Sequence, residues 1–154
     1  MAHLNITICH FSLRFEMIRI KIMINKLFIY GSLLEIDNEF GLYLKQHAII
    51  YNPGKFKGKL YDVGEYPGAV HLPDTDYKVH GIIITLNNVE ETLKYIDDYE
   101  GFGDDQLQPN LFIRKLLIVQ TNDGNVKCWV YLYNHPTTYL KQILSGDYLS
   151  YKRA

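Results

Sequence analysis

The sequence predicts an α+β domain built on a largely closed sheet. Three observations predict it: many short apolar runs bounded by turn signals, only two or three helical patterns, and no alternating strand–helix–strand rhythm. At 154 residues the chain suffices for one domain burying roughly 68–70% of its unfolded surface, with no metal or disulfide staple required. No repeat, linker or second domain is visible.

The elements follow in order. Residues 26–30, Lys-Leu-Phe-Ile-Tyr, read as a buried strand, and Gly31 lets the chain turn so that successive N–H groups can converge on an anion. Ile36, Phe40, Tyr43, Leu44 and His47 then recur at helical spacing, with Asp37, Glu39 and Lys45 opposite and Gly41 weakening the helix. Asn52-Pro53-Gly54 reads as a turn, residues 55–63 as a strand, and Gly64-Glu65-Tyr66-Pro67-Gly68 as a loop. Strands follow at 69–72 and 77–86. A helix starts near Val89, with Asn88 as its cap and Glu91 at the capping-box position. A polar loop ends at Asn110. Residues 111–121 and 126–133 flank Asn122-Asp123-Gly124-Asn125, a hairpin signal, and residues 137–144 are expected to be helical.

Composition excludes several classes of function. The formal net charge of -1 and the scattered basic residues argue against nucleic acid as the main ligand. Lys55, Lys57 and Lys59 alternate along one strand, a pattern commoner on a solvated face or blunted sheet edge than on a phosphate track. Cys9 and Cys128 cannot build a disulfide framework, so a reducing, cytoplasmic compartment is expected. Cys128 reads as a small core residue. The six histidines lack metal-ligand spacing, and neither metal nor other cofactor is expected. Residues 1–17 have neither a continuous signal-peptide core nor the length of a membrane span, so no membrane association is expected. The alternation of Ile18, Ile20, Ile22 and Ile24 would extend the first strand. Residues 1–22 are otherwise read as a non-functional leader, with Met17 and Met23 as alternative starts, ahead of one domain at 23–154.

One acid stands out. At about 100° per residue, Val89, Leu93 and Ile96 form one stripe, and Glu100 falls in its middle, with Asp97 at the edge and Asp98 opposite. A carboxyl directed inward resists ionisation, which is the environment of a proton-transfer residue. If the helix stopped earlier, Glu100 would turn to solvent or pair with Arg114.

Five blocks, in this order, resemble the gamma-glutamylcyclotransferase-like superfamily, particularly its gamma-glutamylamine cyclotransferase and avirulence-induced plant protein branch. They are Phe28-Ile29-Tyr30-Gly31-Ser32-Leu33, Leu60-Tyr61-Asp62-Val63-Gly64-Glu65-Tyr66-Pro67-Gly68, Val79-His80-Gly81, Ile96-Asp97-Asp98-Tyr99-Glu100-Gly101 and Ser145-Gly146-Asp147-Tyr148. The resemblance implies a small mixed β-barrel with flanking helices and a pocket at one end. It implies Glu100 as catalytic acid/base, and Tyr30, Gly31, Ser32 and Leu33 as the loop that binds a γ-glutamyl group through backbone N–H groups. Gly64, Tyr66 and Pro67 would form another wall, or merely a tight turn. The implied reaction is intramolecular aminolysis: the substrate α-amine attacks its own γ-carbonyl, giving 5-oxoproline and a released amine without a cofactor. The partner is then a small γ-glutamyl molecule, and the protein a monomer or homodimer.

Three positions qualify the resemblance. Phe112 stands where many relatives carry a tyrosine two residues before an arginine, so one hydroxyl is absent; Ile82 replaces a common acid. Arg114 is open to two roles, substrate partner or structural ion pair, the second being commoner for a strand arginine. Tyr131 reads as core, with the pocket as its alternative. A binding domain that keeps the pocket but not the chemistry is the competing function. Ser32 as a nucleophile has no His or Lys placed to activate it.

Overall fold

The computed structural model describes Arg14, residues 24–34 and residues 38–154, excepting the side chains of Ser32, Ile50 and Tyr51. The leader and most of the expected strand extension lie outside the described residues. Among the described residues there are seven strands: β1 (Lys26–Ile29), β2 (Ala48–Asp62), β3 (Pro67–His71), β4 (Lys78–Leu86), β5 (Phe112–Thr121), β6 (Gly124–Tyr133) and β7 (Lys141–Ile143). The α-helices described in full are α1 (Glu39–His47), α2 (Val89–Glu100) and α3 (Tyr148–Arg153).

Five strands close into a mixed barrel in the order β2-β4-β1-β6-β5, with β5 returning to β2 at Lys55↔Gln120. Among the described residues, β1 and β6 are the one parallel pair. Beyond Lys57, β2 leaves β4 and pairs with β3 and β7, so one 15-residue strand serves both the barrel and a smaller three-stranded sheet.

Side-chain alternation divides the apolar residues between two cores. Phe28 and Tyr30 of the first strand segment pack inside with Phe56, Val79, Val119, Cys128 and Val130. Leu27 and Ile29 point the other way, with Trp129 and Tyr131, onto Leu44 of α1 and Leu93 and Ile96 of α2. A strand covered on both faces reads as a continuous apolar run, which is what residues 26–30 display. Cys128 is fully buried, and burial pushes its thiol up to about 12, so it behaves as a core residue.

Several sequence expectations need correction. Asn52-Pro53-Gly54 is not a turn but part of β2, paired with Ile83, Ile82 and Gly81 of β4. Gly54 is there because β5 crosses closely: a Cβ would lie 2.7 Å from Val119 Cγ1. The expected helix at 137–144 instead contributes β7, whose Ile143 joins the inner core, and the helix comes later. Asp147 caps that helix by accepting the Ser150 N–H at 3.1 Å. The first helix begins at Glu39, capped by Asn38, whose Oδ1 accepts the N–H groups of Phe40 at 2.9 Å and Gly41 at 3.3 Å. Asn88 sits at the N-cap of α2 without capping it; its amide donates to Glu91 at 2.7 Å. The β5–β6 hairpin is tighter than expected, with only Asn122 and Asp123 between Thr121 and Gly124.

Candidate active site

β1 delivers its last residues to one end of the barrel. The Tyr30 hydroxyl donates to the Tyr131 carbonyl at 2.6 Å and accepts the Ala69 N–H at 3.3 Å, tying the strand end to β6 and β3. Complete burial first, then the nearby Glu100 charge, push this phenol far above its ordinary range despite the Ala69 N–H bond, which acts the other way, so it is a strut that stays protonated at neutral pH. A short 3₁₀ helix, Ser32–Leu34, follows, closed by the Leu34 N–H on the Gly31 carbonyl at 2.9 Å. The first N–H groups of such a turn have no partner within it. Gly31 is required by contact more than by conformation: a Cβ there would meet Pro67 Cγ at 2.8 Å.

α2 supplies the acid. Gly101 takes the left-handed conformation, φ 69° and ψ 39°, and returns its N–H to the Asp97 carbonyl, ending the helix at Glu100. Thr92, Leu93 and Ile96 bury the same helix against the barrel. Glu100 therefore lines a cavity of about 90 Å³ together with Phe28, Ile29, Tyr30, Gly31 and Leu33 from the strand end, Tyr66 from the β2–β3 connection, Pro67 at the start of β3, and Tyr99, Leu111, Phe112 and Tyr131. Burial pushes its carboxyl up from 4.5 to about 8. Among the described residues it has no ion-pair or hydrogen-bond partner, so nothing offsets the loss of water.

The aromatic wall continues outward. Tyr66 leans on Phe112 with ring centroids 5.9 Å apart, and Phe112 meets Tyr133 edge-on at 5.8 Å. Burial first, then the charges of Tyr133 and Glu100, raise the Tyr66 phenol. The C-terminus braces this wall: the Tyr148 hydroxyl donates to the Glu65 carbonyl at 3.3 Å, and Tyr151 donates to Asp62 at 2.7 Å. The loop after α2 is also braced, since the Asn110 amide donates to the Gly103 carbonyl at 2.9 Å and the Leu107 carbonyl at 3.2 Å.

Of the residues singled out from sequence, Glu100, Tyr30, Gly31, Leu33, Tyr66 and Pro67 thus meet at one cavity. Ser32 begins the 3₁₀ turn beside them. Gly64 does not line the cavity; it is exposed and supplies the positive φ of 126° that turns β2 toward β3, its N–H held by Asp62 at 2.9 Å. Arg114 does not line it either. It pairs with Asp97 at 3.1 Å, beside a second cavity of about 420 Å³ bounded by Leu93, Lys94, Phe102 and Trp129. Tyr131 belongs to the core and to the cavity wall at once, its hydroxyl donating to Asp97 at 2.7 Å. This Asp97–Arg114–Tyr131 cluster was not legible as a unit, although a two-residue hairpin turn makes Arg114 and Tyr131 cross-strand partners.

Fold and site together define a small closed-barrel protein in which one carboxyl, without an ion-pair partner among the described residues, lines a mostly apolar pocket. A family model, "Gamma-glutamyl cyclotransferase, AIG2-like", matches residues 27–150, and the chain belongs to that family. It is 32% identical over 115 residues to the gamma-L-glutamyl-butirosin B gamma-glutamyl cyclotransferase of Niallia circulans, covering 74% of this chain and 70% of that one. It is 31% identical to the gamma-glutamylcyclotransferase family protein YtfP of Escherichia coli K12 over 80% of this chain and 96% of the relative. The solved YtfP structure superposes with a TM-score of 0.58, at 29% identity, over 82% of this chain and 98% of YtfP. YkqA of Bacillus subtilis superposes with a TM-score of 0.64 at 22% identity over 84% of this chain, which spans only 41% of YkqA. The class of activity these indicate is gamma-glutamyl cyclotransferase-like. No helix among the described residues is long and apolar enough to cross a membrane.

Proposed function

We propose that this protein cyclises a γ-glutamyl amine or a related γ-glutamyl compound to 5-oxoproline, with Glu100 as general acid/base. The observation that carries the reading is the placement of Glu100: a carboxyl pushed up to about 8, without a cation, inside a narrow pocket. A proton-transfer group is most effective when its pKa lies near the working pH.

The pocket is small beside the roughly 300–1,000 Å³ of sites that enclose a whole drug-sized ligand. It suits one end of a small molecule, the γ-glutamyl end, while the departing amine remains toward the mouth. The α-ammonium entering beside Glu100 favours the ionised carboxylate, because an opposite charge lowers an acid's pKa. The carboxylate then takes a proton from the α-nitrogen, whose lone pair attacks the γ-carbonyl carbon. A ring C–N bond forms and the carbonyl oxygen gains charge. Backbone N–H groups at Ser32 and Leu33 stand at the pocket edge to receive that oxygen or the substrate carboxylate. Glu100 gives that proton to the departing nitrogen and takes the surplus proton from the new ring nitrogen. As the tetrahedral centre collapses and the exocyclic C–N bond breaks, it passes this second proton on as well. The amine thus leaves as an ammonium ion, the lactam nitrogen keeps one hydrogen and Glu100 ends ionised. No enzyme nucleophile enters, since both reacting groups belong to one molecule.

The test is 5-oxoproline release from γ-glutamyl amines, γ-glutamyl dipeptides and glutathione, with native protein and Glu100→Gln. The proposal expects product from the native protein and a loss of roughly 10²–10⁴-fold in the variant. Ligand binding without product, unchanged by Glu100→Gln, would instead establish a catalytically silent binding domain.

A further inference from the structure

Asp97 and Glu100 are three residues apart on α2 and hence neighbours on its surface, yet only one has a cation. The Asp97 carboxylate is held twice, by the Tyr131 hydroxyl at 2.7 Å and by Arg114 at 3.1 Å. The guanidinium is itself stacked, 4.8 Å from the Trp129 ring centre and 5.7 Å from that of Phe102. Arg114 nevertheless lies close to the pocket. It shares a face of β5 with Phe112, a pocket residue two positions earlier, so the two backbones stand about 7 Å apart, a span an arginine side chain covers.

We propose that Asp97 is a positioning residue that retains the Arg114 guanidinium beside the second cavity, on the Trp129 side of α2, and thereby leaves Glu100 without a counter-ion. The inference rests on Glu100 being the working acid. The groups that face Glu100 fit this division: Tyr30 just after β1, Tyr66 from the β2–β3 connection and Tyr131 from β6 bring phenols, while on its own helix Tyr99 turns its hydroxyl to Asn38 and Asp97 is turned to Arg114. No lysine, arginine or histidine is among the described residues lining that pocket. Burial alone accounts for the raised Glu100 carboxyl, and Arg114 makes no contribution to it. A cation released toward the pocket would reverse this, since an opposite charge within about 4–6 Å lowers a carboxyl pKa by 1–3 units.

The experiment titrates Glu100 directly by carboxyl ¹³C NMR, a readout that does not require turnover, in native protein, Asp97→Asn and Asp97→Asn/Arg114→Gln. Asparagine keeps an acceptor for Tyr131 but removes the charge that retains the guanidinium. The expected result is a Glu100 midpoint lowered by about one unit or more in Asp97→Asn and returned to the native position in the double variant. The acid limb of kcat/KM for 5-oxoproline release moves with it. A folded Asp97→Asn protein with an unmoved midpoint overturns the proposal and assigns Asp97 to α2 docking alone; Asp97→Ser, read in the same way, decides the matter if the asparagine variant does not fold. A shifted midpoint in a chain that releases no 5-oxoproline would sustain the charge-holding role while removing the catalytic reading.

Discussion

At the residue scale, the acid/base role proposed for Glu100 would tie activity to stability. Its carboxyl ionises near the ordinary value of 4.5 in the unfolded chain but only at about 8 in the folded one. The unfolded state therefore loses its proton first as pH rises, and the stability tied to this group is present below about pH 4.5 and lost progressively up to about pH 8. Glu100→Gln is expected to abolish that decline and to melt several degrees above the native protein at pH 8; differential scanning calorimetry from pH 5 to 9 checks it. Gly31 makes a second demand. With Pro67 Cγ only 2.8 Å from the site of a Cβ, Gly31→Ala should cost about 1–3 kcal/mol and lower turnover by displacing the Pro67 wall, as urea unfolding and kinetics would read. The inward direction of Glu100 was legible from helical spacing. The reason for Gly31 was not, because the proline that excludes a side chain lies 36 positions away in sequence and only the fold brings it near.

At the scale of elements, apolar periodicity located β1, α2 and the β5–β6 hairpin, each with a pattern that local geometry enforces. It failed where tertiary pairing overrode a local signal. Asn52-Pro53-Gly54 has the composition of a turn but is carried through β2 because β4 pairs with it and β5 needs Gly54 for close approach. Residues 137–144 have no strong local preference, and their strand exists because β2 offers an edge to Lys141–Ile143. The caps show the same contrast. Asn38 both caps α1 and donates to the Tyr99 hydroxyl at 3.1 Å, joining α1 to the helix that carries Glu100. Asn38→Ala should therefore cost about 1 kcal/mol, whereas Asn88→Ala, at a position without a side-chain cap, should cost far less; paired thermal melts check this.

For the whole molecule, the fold's contribution is to bring five segments from distant parts of the sequence to one end of a closed sheet: the end of β1, the approach to β3, the end of α2, the start of β5 and Tyr131 of β6. Closure depends on β5 meeting β2 beside Gly54, where Gly54→Ala places a Cβ against Val119 in the inner core. We expect about 1–3 kcal/mol of destabilisation, measured by denaturant unfolding, with Glu100 still in place in the folded fraction. The fold class was legible because strand-like runs outnumber helical ones, but the order β2-β4-β1-β6-β5 was not, since parallel β1–β6 pairing leaves no local mark in sequence. The central claim is that this architecture isolates one carboxyl to move protons during γ-glutamyl cyclisation. It is tested most directly by 5-oxoproline release from the γ-glutamyl panel, with native protein and a folded Glu100→Gln variant side by side. The account predicts product from the native protein and roughly 10²–10⁴-fold less from the variant; equal product from both, or none from either, would contradict it.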